Sequence, residues 1–391
     1  MKQHENLNDK VDKIDHLRSG ARLKNLKNRA VFLAIVNIVL CIAFIGCNNQ
    51  ADMNENVPAN QEGMIEMVSL FLADMPGTFL QDMALDNNHS LYYVTGEVDT
   101  EEWAKMPEWS SYMPIRYYLS RKTDETGNFE VLYDRFTGGK LCFDKDNHLW
   151  VWTSTAIFKI EGNSCKKIIE LPVNGGGFNS FAVDNDNNIW AGGLQTGLYK
   201  IDSKLNISHY TSELPTNSLT NIHIDKYNNI WIALWNREVL KISKDQWVVY
   251  DNISSQSIWC LITDKNDHLW IGTGYFNEEN QSLRRFNGTQ WETINPRNDN
   301  NEFVKGTVRR LQSDGQKIYV VAEHVYVLPS GGGAELISTE LLTFDGEKWN
   351  KIYDIPEDIN IPDLLVDHYR QVVWVATPNK GVYKIPINSV K

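Results

Sequence analysis

The sequence predicts an all-β fold: a seven-bladed β-propeller of four-stranded antiparallel blades, closed by an N-terminal strand that completes the last blade. Three observations predict it. An acid followed six residues later by tryptophan recurs at a spacing near 40, each copy divides into four short segments, and the last copy lacks its fourth segment.

The repeat is clearest in FDKDNHLWVW (143–152), VDNDNNIWAGG (183–193), IDKYNNIWIAL (224–234) and TDKNDHLWIGT (263–273). Their tryptophans, Trp150, Trp190, Trp231 and Trp270, are 40, 41 and 39 residues apart. Degenerate copies around Asp86 and Tyr92, Asp314 and Tyr319, and Asp367 and Trp374 bring the number to seven. Each copy is followed by an alternating apolar and polar segment such as LYKID (198–202) or VLKIS (239–243), the period of a half-buried strand. Several of these are followed by a late tryptophan: Trp247, Trp291 and Trp349. Asn287-Gly288 and Asp345-Gly346 lie before the last two, where a tight hairpin needs positive φ. Each unit therefore reads as a four-stranded meander. Residues 64–71, MIEMVSLF, are left to supply the strand that blade seven lacks. A β-helix or open solenoid is the alternative, but its repeats are usually shorter and need no such leftover.

Ahead of the 64–391 propeller lie two other segments. Residues 1–46 carry eight Lys/Arg and four Asp/Glu, leaving 30 against 46 for the remainder, so the formal net charge of −12 conceals a body at −16. Arg18, Arg22, Lys24, Lys27 and Arg29 precede an uncharged apolar run, 30–46, which together form an export signal. Seventeen helical residues span about 25 Å against a hydrocarbon core of about 30 Å, which favours a cleaved signal over a signal anchor. Phe44-Ile45-Gly46-Cys47 resembles the lipobox of bacterial lipoproteins, which implies Cys47 as the lipidation site. Either way the body faces an extracytoplasmic space and is held at a membrane through an N-terminal lipid or signal anchor. Residues 47–63 are polar and read as a flexible tether.

The repeated D-x-x-x-x-[LI]-W followed by LYKI-type strands resembles the two-component-regulator propeller repeat, found in extracytoplasmic sensor domains of bacterial hybrid histidine kinases and in free-standing exported proteins. The resemblance covers about Leu85 to Pro386 and implies fold rather than function. Where that family has Gly in the turn, this chain has Asn147, Asn187, Asn228 and Asp267, the residue types most tolerant of left-handed φ, and Gly315 alone is kept.

The alternating acids of Asp184, Asp186 and Asn188 begin like a calcium loop. That loop needs Gly at its sixth position and Glu at its twelfth, and here those places hold Ile189 and Gln195. Asp186 becomes Tyr227 in the next copy while the first Asp and the Trp persist, so the acid is expected to cap a turn and no metal is expected. The tryptophans are expected to pack one blade on the next, with Gly192, Ala233, Gly272 and Ala376 as clearance; Trp152 takes that place in blade two. His89, His148 and His268 fall in repeated turns and are expected to be solvated and far apart. Cys142, Cys165 and Cys260 are expected to be buried free thiols, with one disulfide and one leftover as the alternative. No cofactor motif is present, propellers of the virginiamycin-lyase type perform histidine- and metal-dependent chemistry whose catalytic positions are not matched here, and the acidic body argues against nucleic acid.

Function is sought where the repeat is interrupted. From second-strand aromatic to third-strand anchor the separation is 10 or 11 residues in blades two, three, four and seven, but 16 from Trp270 to Phe286 and 25 from Tyr319 to Phe344, and blade one is enlarged across 97–114. One kind of connection in every blade emerges on one face. The candidate ligand contacts there are Trp103, Trp109, Tyr112, Trp235, Trp259, Tyr275, Phe276 and Tyr326, with Lys305 and Arg309 as cations for an acidic ligand. Exposed aromatics on loops over a rigid scaffold suit a glycan, a peptide or a partner protein, although such residues also anchor their own loops. A polysaccharide-active enzyme and a cell-envelope scaffold are the alternatives. The first should show converging ionisable groups with perturbed pKa, the second an apolar patch elsewhere on the rim.

Overall fold

In the computed structural model the chain divides into two units, Met1–Gln61 and Glu62–Lys391. The structure describes residues 66–68, 77, 79–107, 114–122, 130–136, 138–162, 164–172, 176–244, 246–251, 253, 257–274, 282–297, 306–327, 334–355, 363–377 and 381–387, all in the second unit.

Seven four-stranded antiparallel sheets follow one another, each in the order first, second, third, fourth strand. Blade seven is the exception that closes the ring: Leu364–Asp367, Val372–Thr377 and Gly381–Pro386 are completed by Glu66–Val68. Glu66 pairs with Lys384, Met67 with Tyr383 and Val68 with Val382. The core is a set of seven hydrophobic clusters among the described residues, each drawn from two neighbouring blades. The cluster of Leu80, Met83, Leu91 and Tyr93 with Val372, Trp374, Ala376 and Val382 joins blade one to blade seven.

The acid-to-tryptophan spacing has a physical cause at its two ends. Asp184 Oδ1 accepts from the backbone N–H of Asp186 and of Asn188, both at 2.9 Å, and Oδ2 accepts from Trp190 Nε1 at 2.9 Å. Six residues is the distance round the hairpin at which a buried indole meets the carboxylate that caps the turn. The same bond joins Trp150 to Asp144 at 3.0 Å, Trp231 to Asp225 and Trp270 to Asp264 at 2.9 Å, and Trp374 to Asp367 at 3.1 Å; in blade six Tyr319 Oη donates to Asp314 at 2.8 Å. A buried indole N–H without such a partner would lose a hydrogen bond it makes in water. Each tryptophan also packs against the following blade, and the third-strand cation lies over its ring, Lys200 over Trp190 at 5.1 Å and Lys241 over Trp231 at 4.7 Å.

The turn residues take the left-handed conformation expected: Asn147 (65°), Asn187 (59°), Asn228 (67°), Asp267 (65°) and Gly315 (78°). They do more than tolerate it. Asn147 Oδ1 accepts from Asn87 N at 2.7 Å, Asn187 Oδ1 from Lys145 N at 2.9 Å, and Asn228 Oδ1 from Asn185 N at 2.6 Å. Lys226 Nζ reaches Asp267 at 3.0 Å. These bonds tie each turn to that of the preceding blade, and His89 stacked on Tyr369 at 4.3 Å spans the closure. A glycine would hold the same φ without the bond. Clearance is also as expected. A Cβ on Gly272 would meet Cys260 Sγ at 2.5 Å and Val308 Cγ1 of the next blade at 2.6 Å. Trp152 instead stacks on Phe181 of blade three.

Four expectations are corrected. The connection in blade one contains a helix, Thr100–Lys105, started by Asp99, whose side chain accepts from Glu102 N. Blade six has an extended hairpin where a long loop was expected, because Ile318–Val327 and Ala334–Phe344 continue their pairing outward. His148 and His268 each set Nδ1 against their own turn acid, at 3.0 and 3.1 Å, and so are partnered within the turn. The three cysteines are free, but only Cys260 is fully buried.

Candidate functional site

The first strand of each blade surrounds the molecular axis, and its start lies at the end that also carries the second-to-third-strand connections and the links between blades. Near that start the pairing register slips in blades one, three, four, five and six, and always at the same place. The bulged residues are Gln81, Asn179, Thr220, Trp259 and Arg309. A bulge leaves one residue out of the ladder and re-aims its side chain.

Trp259 and Arg309, in adjacent blades, meet there. The Arg309 guanidinium lies 4.5 Å from the indole centroid, and its Nε donates to Glu323 at 2.8 Å. Glu323 is buried and anchors the cation, while Trp259 stays 36% exposed. Asn179 Nδ2 donates to Leu219 O at 2.9 Å and Gln81 accepts from Gly139 N at 2.7 Å, so the neighbouring bulges stitch blade to blade.

One residue further along lies a second layer. Four places before each turn acid stand Asp82, Lys140, Ser180, Asn221, Cys260, Arg310 and Asp363, one per blade. Ser180 accepts from Ile222 N at 2.7 Å, and Asp82 accepts from Leu141 N at 2.7 Å with Lys140 Nζ at 3.5 Å from its other oxygen. The charges gather on blades six, seven, one and two, in the order Arg310, Asp363, Asp82, Lys140. Burial holds the Asp82 carboxyl above its ordinary range, against Lys140 and the Leu141 amide. Asp363 is pushed up to about 7, by burial first and by Asp82 second, against Lys140 and Arg310.

Of the residues singled out from sequence, the structure brings Trp259 and Arg309 together. Trp235 lies in the blade-four connection on the same face, 53% exposed, with its backbone N–H donating to Ser218 O. Trp103 is half-buried on the blade-one helix, which Arg135 of the fourth strand ties down through Asp99 and Glu101. Tyr326 pairs with Glu335 along the blade-six hairpin. Trp109, Tyr112, Tyr275, Phe276, Lys305 and Cys47 lie outside the described residues. Sequence reasoning missed Glu323 and the charged layer. The signal for the layer was the residue four places before each repeated acid. Among the described residues no three His, Cys, Asp or Glu side chains gather to hold a metal, and no helix is long and apolar enough to cross a membrane. Exposed apolar residues on fourth strands, Val131, Ile207 and the adjacent Val248 and Val249, lie on three blades.

The seven four-stranded sheets define a seven-bladed β-propeller. Residues 252–275 match the family described as two component regulator propeller. The fold resembles that of the extracellular domain of a protein described as a hybrid two component system from B. thetaiotaomicron, with 16% identity over 81% of this chain and 42% of that one and a TM-score of 0.56. It also resembles virginiamycin B lyase from Staphylococcus aureus, with 11% identity over 79% of this chain and 95% of that one and a TM-score of 0.56. A third is PorZ, a surface component of the type-IX secretion system of Porphyromonas gingivalis, with 15% identity, 80% and 47% coverage and a TM-score of 0.54. The chain spans about two-fifths of the extracellular-domain chain it matches. A search of the curated proteins finds no match. In all, 1028 solved chains match, so likeness of fold does not choose among sensor, lyase and secretion component.

Proposed function

We propose that this protein is an extracytoplasmic propeller, held at a membrane by its N-terminal segment, that binds a small ligand or a segment of a partner at the axial mouth. Trp259 carries the reading: a large aromatic left exposed on a bulged first strand, under a guanidinium that Glu323 holds in place. An indole offers flat apolar area at low entropic cost, and a held cation adds direction. Trp235 extends the same face, and Trp109, Tyr112, Tyr275, Phe276, Tyr326 and Lys305 are carried as further candidate contacts on the sequence spacing alone. The test is a screen of glycans and peptides against the full chain in detergent. A ligand whose binding is lost in Trp259→Ala, with the melting temperature unchanged, supports the reading. A ligand indifferent to Trp259, Trp235 and Arg309 removes it.

A second reading has one observation in its favour. Asp82 and Asp363 are converging carboxyls with raised pKa, as expected of an enzyme acting on polysaccharide. Catalysis predicts new reducing ends or unsaturated products from a polysaccharide incubated with the full chain, and their disappearance in Asp363→Asn.

A further inference from the structure

The charges at the mouth are sorted by blade. Blade six presents Arg309 and Arg310, at the bulge and just past it, while blades seven and one present Asp363 and Asp82 at the position equivalent to Arg310. A lone anion would meet Asp82, Asp363 and Glu323 as well as the arginines. A lone cation would meet Lys140, Arg309 and Arg310 as well as the acids. A group carrying both signs matches both sides.

We propose that the mouth seats a zwitterion, a free amino acid or short peptide, with its ammonium against Asp363, its carboxylate against Arg309, and its side chain on Trp259. This rests on the reading of the mouth as a ligand site and names the ligand class. Asp82 is engaged on both oxygens, by the Leu141 amide at 2.7 Å and by Lys140 at 3.5 Å, whereas Asp363 accepts from the Leu364 amide on Oδ1 at 2.9 Å, so Asp363 is the carboxyl assigned to an incoming ammonium. Arg309 is oriented by Glu323 and by the indole, so its fork is held before a ligand arrives. The acidic body outside residues 1–46, at −16, draws an ammonium end first.

The site is then linked to protons. The groups facing Asp363 are Asp82, Lys140 and Arg310, and burial together with Asp82 leaves it proton-bound up to about pH 7. An ammonium must displace that proton, so affinity falls about tenfold for each pH unit below that value.

The experiment is isothermal titration of the full chain with glycyl-L-phenylalanine, its N-acetyl form and its C-terminal amide, each in two buffers of different ionisation heat. The unblocked dipeptide is expected to bind with proton release near pH 6, either block should weaken it at least about tenfold, and Asp363→Asn should remove the pH dependence. Proton release is measured on the unaltered protein, so the result stands even where a variant misfolds. Equal binding of a blocked form, affinity that does not rise between about pH 5.5 and about pH 7.5, or no heat from any of the three overturns the proposal. A ligand from the screen that depends on Trp259 while the dipeptides fail would overturn the zwitterion alone; failure of both would overturn the site.

Discussion

Asn187 meets two demands at once. Its φ of 59° would suit glycine better, yet its Oδ1 accepts from Lys145 N and its Nδ2 donates to Asp146 at 2.6 Å. Relief of φ strain alone would make Asn187→Gly stabilising by a few tenths to 1 kcal/mol, roughly. Loss of the inter-blade bonds gives a net loss of about 1 kcal/mol instead, to be read by chemical denaturation. Trp190→Phe isolates the other end of the motif. It keeps an aromatic in the cluster and removes the donor to Asp184, at an expected loss of about 1–2 kcal/mol. The acid, the tryptophan and the left-handed turn were legible because every blade repeats them. The indole bond between them was not, because sequence shows that a spacing is kept and not which atoms meet across it.

Residue-scale titration adds a pH dependence. Asp363 has a folded pKa near 7 against an ordinary carboxyl value of 3.8, so its contribution is fully present below about 3.8 and is lost as pH rises through 7. His223 runs the other way. Burial depresses it to about 4, so its contribution is present above 6.5 and is lost as pH falls toward 4. The difference in stability between the native chain and Asp363→Asn cancels the histidine. That difference should move against the native chain between pH 4 and 7, and a flat difference would contradict the burial assigned to Asp363.

At the scale of the element, packing between blades depends on small residues facing large ones. Gly272→Ala places a methyl within 2.8 Å of the Val308 carbonyl as well as against Cys260 and Val308 side chains. Backbone cannot step aside as a side-chain tip can, so an expected loss of about 2–3 kcal/mol follows, seen in thermal unfolding. The strands of each blade were legible from alternation and turn residues. The bulges were not. A one-residue slip leaves no compositional mark, and it is the slip that takes Trp259 and Arg309 out of the ladder, where they meet. The blade-six hairpin was read as a loop for a related reason: its long strands, Ile318–Val327 and Ala334–Phe344, carry polar residues such as Glu323, His324 and Glu340 that interrupt the apolar alternation.

At the scale of the whole molecule, three residues close the ring. Deleting Glu66–Val68 removes the fourth strand of blade seven and bares the edge of Gly381–Pro386, so unfolding should begin at lower denaturant with reduced cooperativity. Closure was legible because a missing fourth segment at one end matched a spare one at the other. The mouth was legible only in part, since its charged layer is assembled from residues dozens to hundreds of positions apart, and only the ring places Asp363 beside Asp82.

The most direct measurement of the central claim compares the two faces. Tyr227 is 65% exposed on a first-to-second-strand turn, at the opposite end of blade four from Trp235. For any ligand found in the screen, Trp259→Ala should weaken binding at least about tenfold while Tyr227→Ala leaves it within about twofold. Loss of affinity in Tyr227→Ala with Trp259→Ala unchanged would contradict the assignment of function to the axial mouth.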